Sequence, residues 1–300
     1  MMSRTQAQII ATYSRCMRMR LPDGEEVEAR IKGKKLRPVC GDRVEAEPIA
    51  NEDDWLITGI MERDNCLTRP NARGQTEALA ANIELLLAVA ATTPQPDWFI
   101  VDRYLAAAEN MGVPAAVVFN KTDLLADPAE IDPVLDDYSR AGYAVLRCSA
   151  VDSSEIAEIE QHINTRIAIF VGQSGVGKSS IINELMGGEE QRTATISSKT
   201  REGRHTTVNS IMLDLPAGGH VIDSPGVRDF APALTSPGQA VVGFREIEAA
   251  GHHCRFANCR HLQEPGCAVK DAVETGTISA RRYESYRRLL RLAEKLEKRT

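Results

Sequence analysis

Three hundred residues, 43% of them hydrophobic, are enough for two or three cores, so a multidomain chain is expected. The net charge of −6 conceals an asymmetry: residues 1–45 carry +4 and residues 277–300 carry +5, leaving −15 for residues 46–276, a pattern that predicts nucleic-acid contact through the ends. There is no run of about 18 apolar residues, which excludes a spanning helix, and Met1-Met2-Ser3-Arg4-Thr5-Gln6 lacks a signal-peptide core, so a cytoplasmic protein with no membrane contact is expected.

In chain order, the first predicted elements are short alternating or β-branched stretches at Ala7–Tyr13, Val27–Ile31, Arg43–Ala46 and Trp55–Ile60, separated by turn residues such as Pro22-Asp23-Gly24. They predict a small OB-like β-barrel over residues 1–67. Arg15, Arg18, Arg20, Arg30, Lys32, Lys34, Lys35 and Arg37 would give it a basic, RNA-binding face. From residue 68 to 234 strands alternate with helices. Ile83–Ala90 and Ala115–Phe119 are continuous apolar runs suited to buried parallel strands, with a helix at Asp102–Met111 stopped by Gly112-Val113-Pro114. Strands at Tyr143–Cys148 and Ile167–Val171 flank a helix at Glu155–Ile163, and Ile211–Leu215 with His220–Ile222 reads as a hairpin. A doubly wound parallel sheet follows, with its ligand at the strand carboxyl ends.

Three motifs sit at those ends. Gly172-Gln173-Ser174-Gly175-Val176-Gly177-Lys178-Ser179, followed by Ser180, matches a phosphate loop between a strand and a helix. Its backbone N–H groups would cradle phosphates, Lys178 would reach β- and γ-oxygens, and Ser179 would hold Mg²⁺. Asn120-Lys121-Thr122-Asp123 ends another strand. Asp123 can accept from guanine N1–H and N2–H₂, which adenine lacks, and buried bonds of this kind discriminate by about 10⁴ to 10⁵. Lys121 would cover the ring, and Ser149-Ala150 would donate to guanine O6. Asp223-Ser224-Pro225-Gly226 completes the set, with Asp223 binding Mg²⁺ through water and the Gly226 N–H on the γ-phosphate. The base-reading motif precedes the phosphate loop, so the chain reads as a circularly permuted P-loop GTPase. Val227, where a glutamine would orient water, cannot do so. His205 in Gly203-Arg204-His205-Thr206-Thr207 is the candidate for that role, and Thr206 or, preferentially, Thr207 would complete Mg²⁺ coordination.

Seven cysteines are an odd number and argue against a disulfide framework. Cys16, Cys40, Cys66 and Cys148 are scattered and read as buried small side chains. Cys254-x₄-Cys259-x-His261-x₅-Cys267 supplies a closed Cys₃His set for one structural Zn²⁺ in residues 235–300, with His252 and His253 as competing ligands. The basic helix over residues 279–299 places Tyr283, Tyr286, Leu289, Leu290, Leu292 and Leu296 near one stripe, and that face would pack on the small domain with arginines outward.

With these residues placed, the chain resembles the circularly permuted, ribosome small subunit-dependent GTPase A family of bacteria, from barrel through nucleotide motifs to the cysteine knuckle. The resemblance implies a monomer that binds the 30S subunit and its 16S rRNA late in maturation, hydrolyses GTP to GDP faster when bound, and then leaves. Gly203–Thr207 matches the family's first switch, which implies a catalytic His205. Because the segment after Gly226 runs toward the cysteine knuckle, loss of the γ-phosphate is expected to change how that unit docks. Two other readings fit part of the pattern: a P-loop kinase or metallochaperone that transfers metal through its cysteines, and a nucleotide-gated RNA-binding module.

Overall fold

The computed structural model of the chain describes residues 4–14, 16–33, 35–70, 76–150, 152–192, 208–224 and 237–297. The barrel comprises β1 (Thr5–Tyr13), β2 (Met17–Arg20), β3 (Glu26–Ile31), β4 (Arg43–Pro48) and β5 (Trp55–Ile60). Its strands are bonded in the order β1-β2-β3-β5-β4, with β4 returning to β1 and β3 parallel to β5. Alternation supplies the interior: Ala7, Ile9, Met17, Met19, Ala29, Val44, Ala46 and Ile57 point inward and are buried. The sequence reading missed β2, whose Met-Arg-Met-Arg alternation carries its two methionines inside.

The expected basic face is largely charge-paired. Arg18 and Arg20 meet Glu26, Arg20 also meets Asp214, Arg30 meets Glu52 and Asp54, and Lys32 lies 3.9 Å from Glu47. Adjacent strands and facing loops bring these carboxylates in, which sequence spacing does not reveal. Lys35 and Arg37 are exposed and make no ion pair among the described residues; Arg15 and Lys34 lie outside them.

A hairpin, β6 (Cys66–Pro70) and β7 (Thr76–Ala81), follows and runs across residue 67, where the sequence reading divides the first two units. The central sheet then forms from β8 (Leu85–Ala91), β9 (Ala115–Asn120), β10 (Ala144–Arg147), β11 (Ile167–Val171), β12 (Val208–Asp214) and β13 (His220–Asp223). Their spatial order is β10-β9-β8-β11-β13-β12, parallel except for the β12/β13 hairpin. Helices α1 (Trp98–Met111) and α2 (Asp132–Arg140) cover one face; α3 (Ser153–Ile163) and α4 (Lys178–Leu185) cover the other. β8 is buried along its whole length, which explains its unbroken apolar sequence. The barrel is continuous with this sheet, because β1 pairs antiparallel with β12 (Ala11 with Ile211, Thr12 with Ser210).

The C-terminal unit comprises α5 (Pro237–Val242), α6 (Arg245–Gly251), the cysteine knuckle, α7 (Ala268–Glu274) and α8 (Ala280–Glu297). Phe244, Ile247, Val269, Tyr286, Leu289 and Leu290 form a core that extends onto Phe99 and Ala106 of α1. Leu292 is exposed, and the side chain of Leu296 lies outside what the structure describes. The expectation of outward arginines on α8 fails at its first turn. Arg282 is 1% exposed, donating to Asp102 of α1 at 2.8 Å and to Glu246 of α6 at 2.7 and 2.9 Å, while Arg281 reaches Asp102 at 3.1 Å. The two carboxylates, each remote in sequence, make that inward position tolerable.

Candidate active site

The phosphate loop leaves β11 at Gly172 and enters α4 at Lys178. Two of its glycines are required by neighbours as well as by backbone conformation. Gly172 has φ 141°, and a Cβ there would stand 2.2 Å from the Val89 carbonyl oxygen; Gly177 has φ 93°, and its Cβ would stand 2.2 Å from Asn120 Nδ2. The loop can therefore approach β8 and β9 only with bare backbone at both points. Lys178 is buried, and its ammonium lies across the loop, donating to the Gly172 and Gln173 carbonyls at 2.7 and 2.6 Å. Val176 is buried in the core that also takes in residues of α3 and α4. Ser179 and Ser180 occupy the first turn of α4.

The base-reading motif is tied directly to that loop. Asn120, wholly buried at the end of β9, donates from Nδ2 to the Val176 carbonyl at 2.9 Å and accepts at Oδ1 from the Ala150 N–H at 3.2 Å and the Cys148 thiol at 3.5 Å. Burial, aided by the Glu155 charge, pushes the Cys148 thiol up to about 12, so it remains a donor at neutral pH. Lys121, at φ 61°, sends Nζ to the Thr93 and Gly175 carbonyls at 2.6 and 2.7 Å. Asp123 follows in a short 3₁₀ turn that begins at Thr122, and its Oδ1 accepts from Ser149 Oγ at 2.5 Å.

The Ser149 and Ala150 N–H groups, predicted to meet guanine O6, are engaged within the protein: Ser149 N–H donates to Glu155 Oε2 at 2.5 Å and Ala150 N–H to Asn120. Glu155 also accepts from Thr122 Oγ1 at 3.4 Å. Sequence reading missed Glu155, although Asp152-x-x-Glu155 has capping-box spacing and Asp152 does cap α3.

Asp223 ends β13 beside β11, and Ser224 Oγ accepts from Ser210 Oγ at 2.8 Å. The Asp223 carboxylate forms an ion pair with Arg192, which donates also to Asn183 of α4 at 2.6 Å. A serine hydroxyl and a carboxylate oxygen are the hard donors a magnesium ion takes, so Ser179 and Asp223 fit that role. His205, Thr206, Thr207 and Gly226 lie outside the described residues, as does the rest of Gly203–Thr207.

At the other end of the chain, Cys254, Cys259, His261 and Cys267 bring their ligand atoms within 4.8 Å of one another. His261 Nδ1 is 3.5 Å from both the Cys254 and Cys267 sulfurs, and those sulfurs are 3.9 Å apart. Tetrahedral zinc at the usual bond lengths gives edges of about 3.5 Å for N···S and 3.8 Å for S···S. The donor set fits such an ion, and His261, rather than His252 or His253, completes it. The knuckle is clamped from α8, where Tyr286 OH donates to the Arg260 carbonyl at 2.9 Å and Tyr283 OH to the His261 carbonyl at 2.5 Å. Burial would raise the Glu264 pKa, but the N–H groups of Glu264, Arg260, Leu262 and Gln263 together bring it down to about 2.

Among known proteins, the sequence pattern of the RsgA GTPase family matches residues 60–232. The small ribosomal subunit biogenesis GTPase RsgA of Chromohalobacter salexigens is 41% identical over 253 residues, 84% of this chain and 74% of its own. That of Azotobacter vinelandii is 39% identical over 269 residues, 89% of this chain and 78% of its own. The crystal structure of YjeQ from Thermotoga maritima superposes with a TM-score of 0.76 at 27% identity, covering 97% of this chain and 99% of that one. YloQ, described as a circularly permuted GTPase, gives 0.74 at 25% identity over 99% and 96%. A permuted nucleotide domain, an OB-like barrel and these relatives lead to one conclusion: the chain belongs to the RsgA GTPase family and is a GTP-hydrolysing enzyme.

Proposed function

We propose that this protein is a cytoplasmic, monomeric factor that binds the 30S ribosomal subunit and its 16S rRNA and hydrolyses GTP in a ribosome-stimulated manner late in small-subunit maturation. The observation that carries the reading is the bonding of the base-reading motif to the phosphate loop, Asn120 to Val176 and Lys121 to Gly175, which makes one site from segments remote in sequence. The relatives named as small ribosomal subunit biogenesis GTPases supply the client.

In this reading Asn120, Lys121, Thr122 and Asp123, with Ser149 and Ala150, surround guanine, and Gly172–Ser180 holds the phosphates. Asn120 acts chiefly by fixing the loops, while Asp123, oriented by Ser149, reads the base edge. Lys178 would leave the loop carbonyls to meet phosphate oxygens, exchanging one set of acceptors for a charge-assisted set. Ser179, Thr207 and Asp223 serve Mg²⁺, which supplies charge neutralisation to the transferring phosphoryl group. Thr206 is the alternative hydroxyl, Gly226 senses the γ-phosphate, and His205 orients water when the protein is bound to the ribosome. Residues 1–67, 68–234 and 235–300 act as barrel, nucleotide and zinc units, and Cys254, Cys259, His261 and Cys267 hold one structural Zn²⁺.

The test is GTP turnover alone and with 30S or 50S subunits, each repeated with His205→Ala. Acceleration by 30S alone, lost in His205→Ala with GDP affinity intact, is expected. Turnover indifferent to ribosomes would remove the client; stimulation indifferent to the substitution would remove His205.

A further inference from the structure

We propose that Arg192 and the divalent cation of the nucleotide complex compete for Asp223, so that Arg192 is a positioning residue that sets how much cation the site demands. The inference rests on the assignment of Asp223 to the cation made above.

Arg192 and Asp223 are each only 14% exposed at the side chain, so their ion pair is substantially withdrawn from water and screened little by salt. The guanidinium is not a wandering surface group. Nη1 donates to Asn183 Oδ1 at 2.6 Å, and the Arg192 N–H donates to the Gly188 carbonyl at 3.2 Å, which fixes it to the end of the helix whose first turn carries Lys178 and Ser179. Nε, also buried, has no acceptor among the described residues. The guanidinium is therefore tethered but not fully satisfied among the described residues, as a contact built for exchange would be.

Guanidinium has donors and no acceptors, so it cannot join a cation's oxygen shell. A carboxylate oxygen engaged by Arg192 is unavailable to the water through which Asp223 would meet that shell, and a guanidinium and a cation crowded at one mostly buried carboxylate repel each other. Arg192 thus neutralises Asp223 while the nucleotide is away and raises the cation concentration needed to complete the site. Nucleotide arriving with its cation releases Arg192 from the carboxylate.

The experiment uses the full chain loaded with a fluorescent GDP analogue and titrated with Mg²⁺. Arg192→Gln is expected to lower the half-saturating Mg²⁺ concentration roughly tenfold, and Arg192→Lys, which keeps charge but loses the planar fork, to give a smaller shift in the same direction. Thermal unfolding supplies the second readout: Arg192→Gln should lower Tm without nucleotide and leave Tm of the Mg²⁺·GDP form unchanged. Equal losses in both forms would make Arg192 merely structural and overturn the proposal, as would an unchanged or raised Mg²⁺ requirement in both variants. Asp223→Asn separates the two assignments. If it leaves the Mg²⁺ requirement alone, the cation role of Asp223 fails and the competition with it; if it raises the requirement while Arg192→Gln and Arg192→Lys do nothing, only the competition fails.

Discussion

The barrel meets the nucleotide domain through main-chain hydrogen bonds between β1 and β12, whereas the C-terminal unit meets it through side chains, with Arg282 buried between Asp102 and Glu246. A strand ladder transmits displacement directly, because neighbouring strands cannot slide without breaking successive bonds. An ion-paired interface holds two bodies in one orientation and is lost as a unit. The two joints also lie at different distances from the nucleotide switch. Asp223 pairs with Ile211, and Ile211 pairs with Ala11 of the barrel, so two ladder steps separate Asp223 from β1. The C-terminal unit instead rests on α1, over β8 and β9. Chain order suggests the reverse, since the segment after Gly226 leads to the knuckle. The mechanical route therefore differs from the covalent one, and the barrel is the better-placed responder.

The largest effect expected at the side-chain joint comes from the zinc ion that the Cys₃His set would hold. Structural zinc contributes about 10–16 kcal/mol of apparent binding energy in isolated zinc-finger peptides. Stripping it with a strong chelator should unfold the knuckle and release the contacts of Tyr283 and Tyr286 to the Arg260 and His261 carbonyls. GDP affinity should stay within about threefold, because none of the nucleotide-site residues depends on that knuckle; a collapse of GDP binding on chelation would break the separation between the joints. Next comes Arg282→Met, which leaves Asp102 and Glu246 facing an apolar side chain and should cost about 3–5 kcal/mol in denaturant unfolding. Replacing all three by apolar residues should recover most of it. A loss below about 1 kcal/mol for Arg282→Met alone would mean that packing of Phe99 and Ala106, not charge, holds the unit.

Which parts were legible follows from the range of the interactions. The phosphate loop, the base-reading motif and the Cys₃His set are local patterns with fixed spacing, and the structure gathers the described parts of each. β8 and β9 announced themselves as unbroken apolar runs. Arg282 was misread because a basic helix looks solvent-facing until Asp102, 180 positions earlier, is brought beneath it. Arg20 and Arg30 stay nearer solvent, Arg30 at 54% exposure, but their carboxylate partners on other strands or in facing loops are equally hidden in the sequence. Glu155 has helix-start spacing, but that spacing does not say that its carboxylate reaches back to Ser149. What sequence hid was thus pairing across the fold rather than the type of chemistry.

At the ladder joint, Ser210→Pro removes an N–H donor from β12 where Ser210 lies opposite Thr12 of β1, and an acceptor bonded to that N–H is orphaned. An orphaned buried acceptor costs about 1–3 kcal/mol. The more telling readout is amide exchange in β1 and β2 with GDP and with a non-hydrolysable GTP analogue: a nucleotide-dependent difference is expected in the original chain and should shrink in Ser210→Pro, while α8 exchange is the same in both states. A nucleotide-dependent change in α8 and none in β1 would reverse the comparison. The smallest effect belongs to Arg20→Ala. Arg20 bridges the barrel to the tip of the hairpin at Asp214 over 2.6 Å, but Asp214 is 44% exposed, and His220 also approaches it at 2.7 Å. Exposed pairs contribute about 1 kcal/mol or less and weaken with salt. If Arg20→Ala costs less than that at low salt and almost nothing at high salt, the ladder carries the joint. A loss as large as that of Ser210→Pro would mean that charge fastens the barrel too, and the contrast between the two attachments would dissolve.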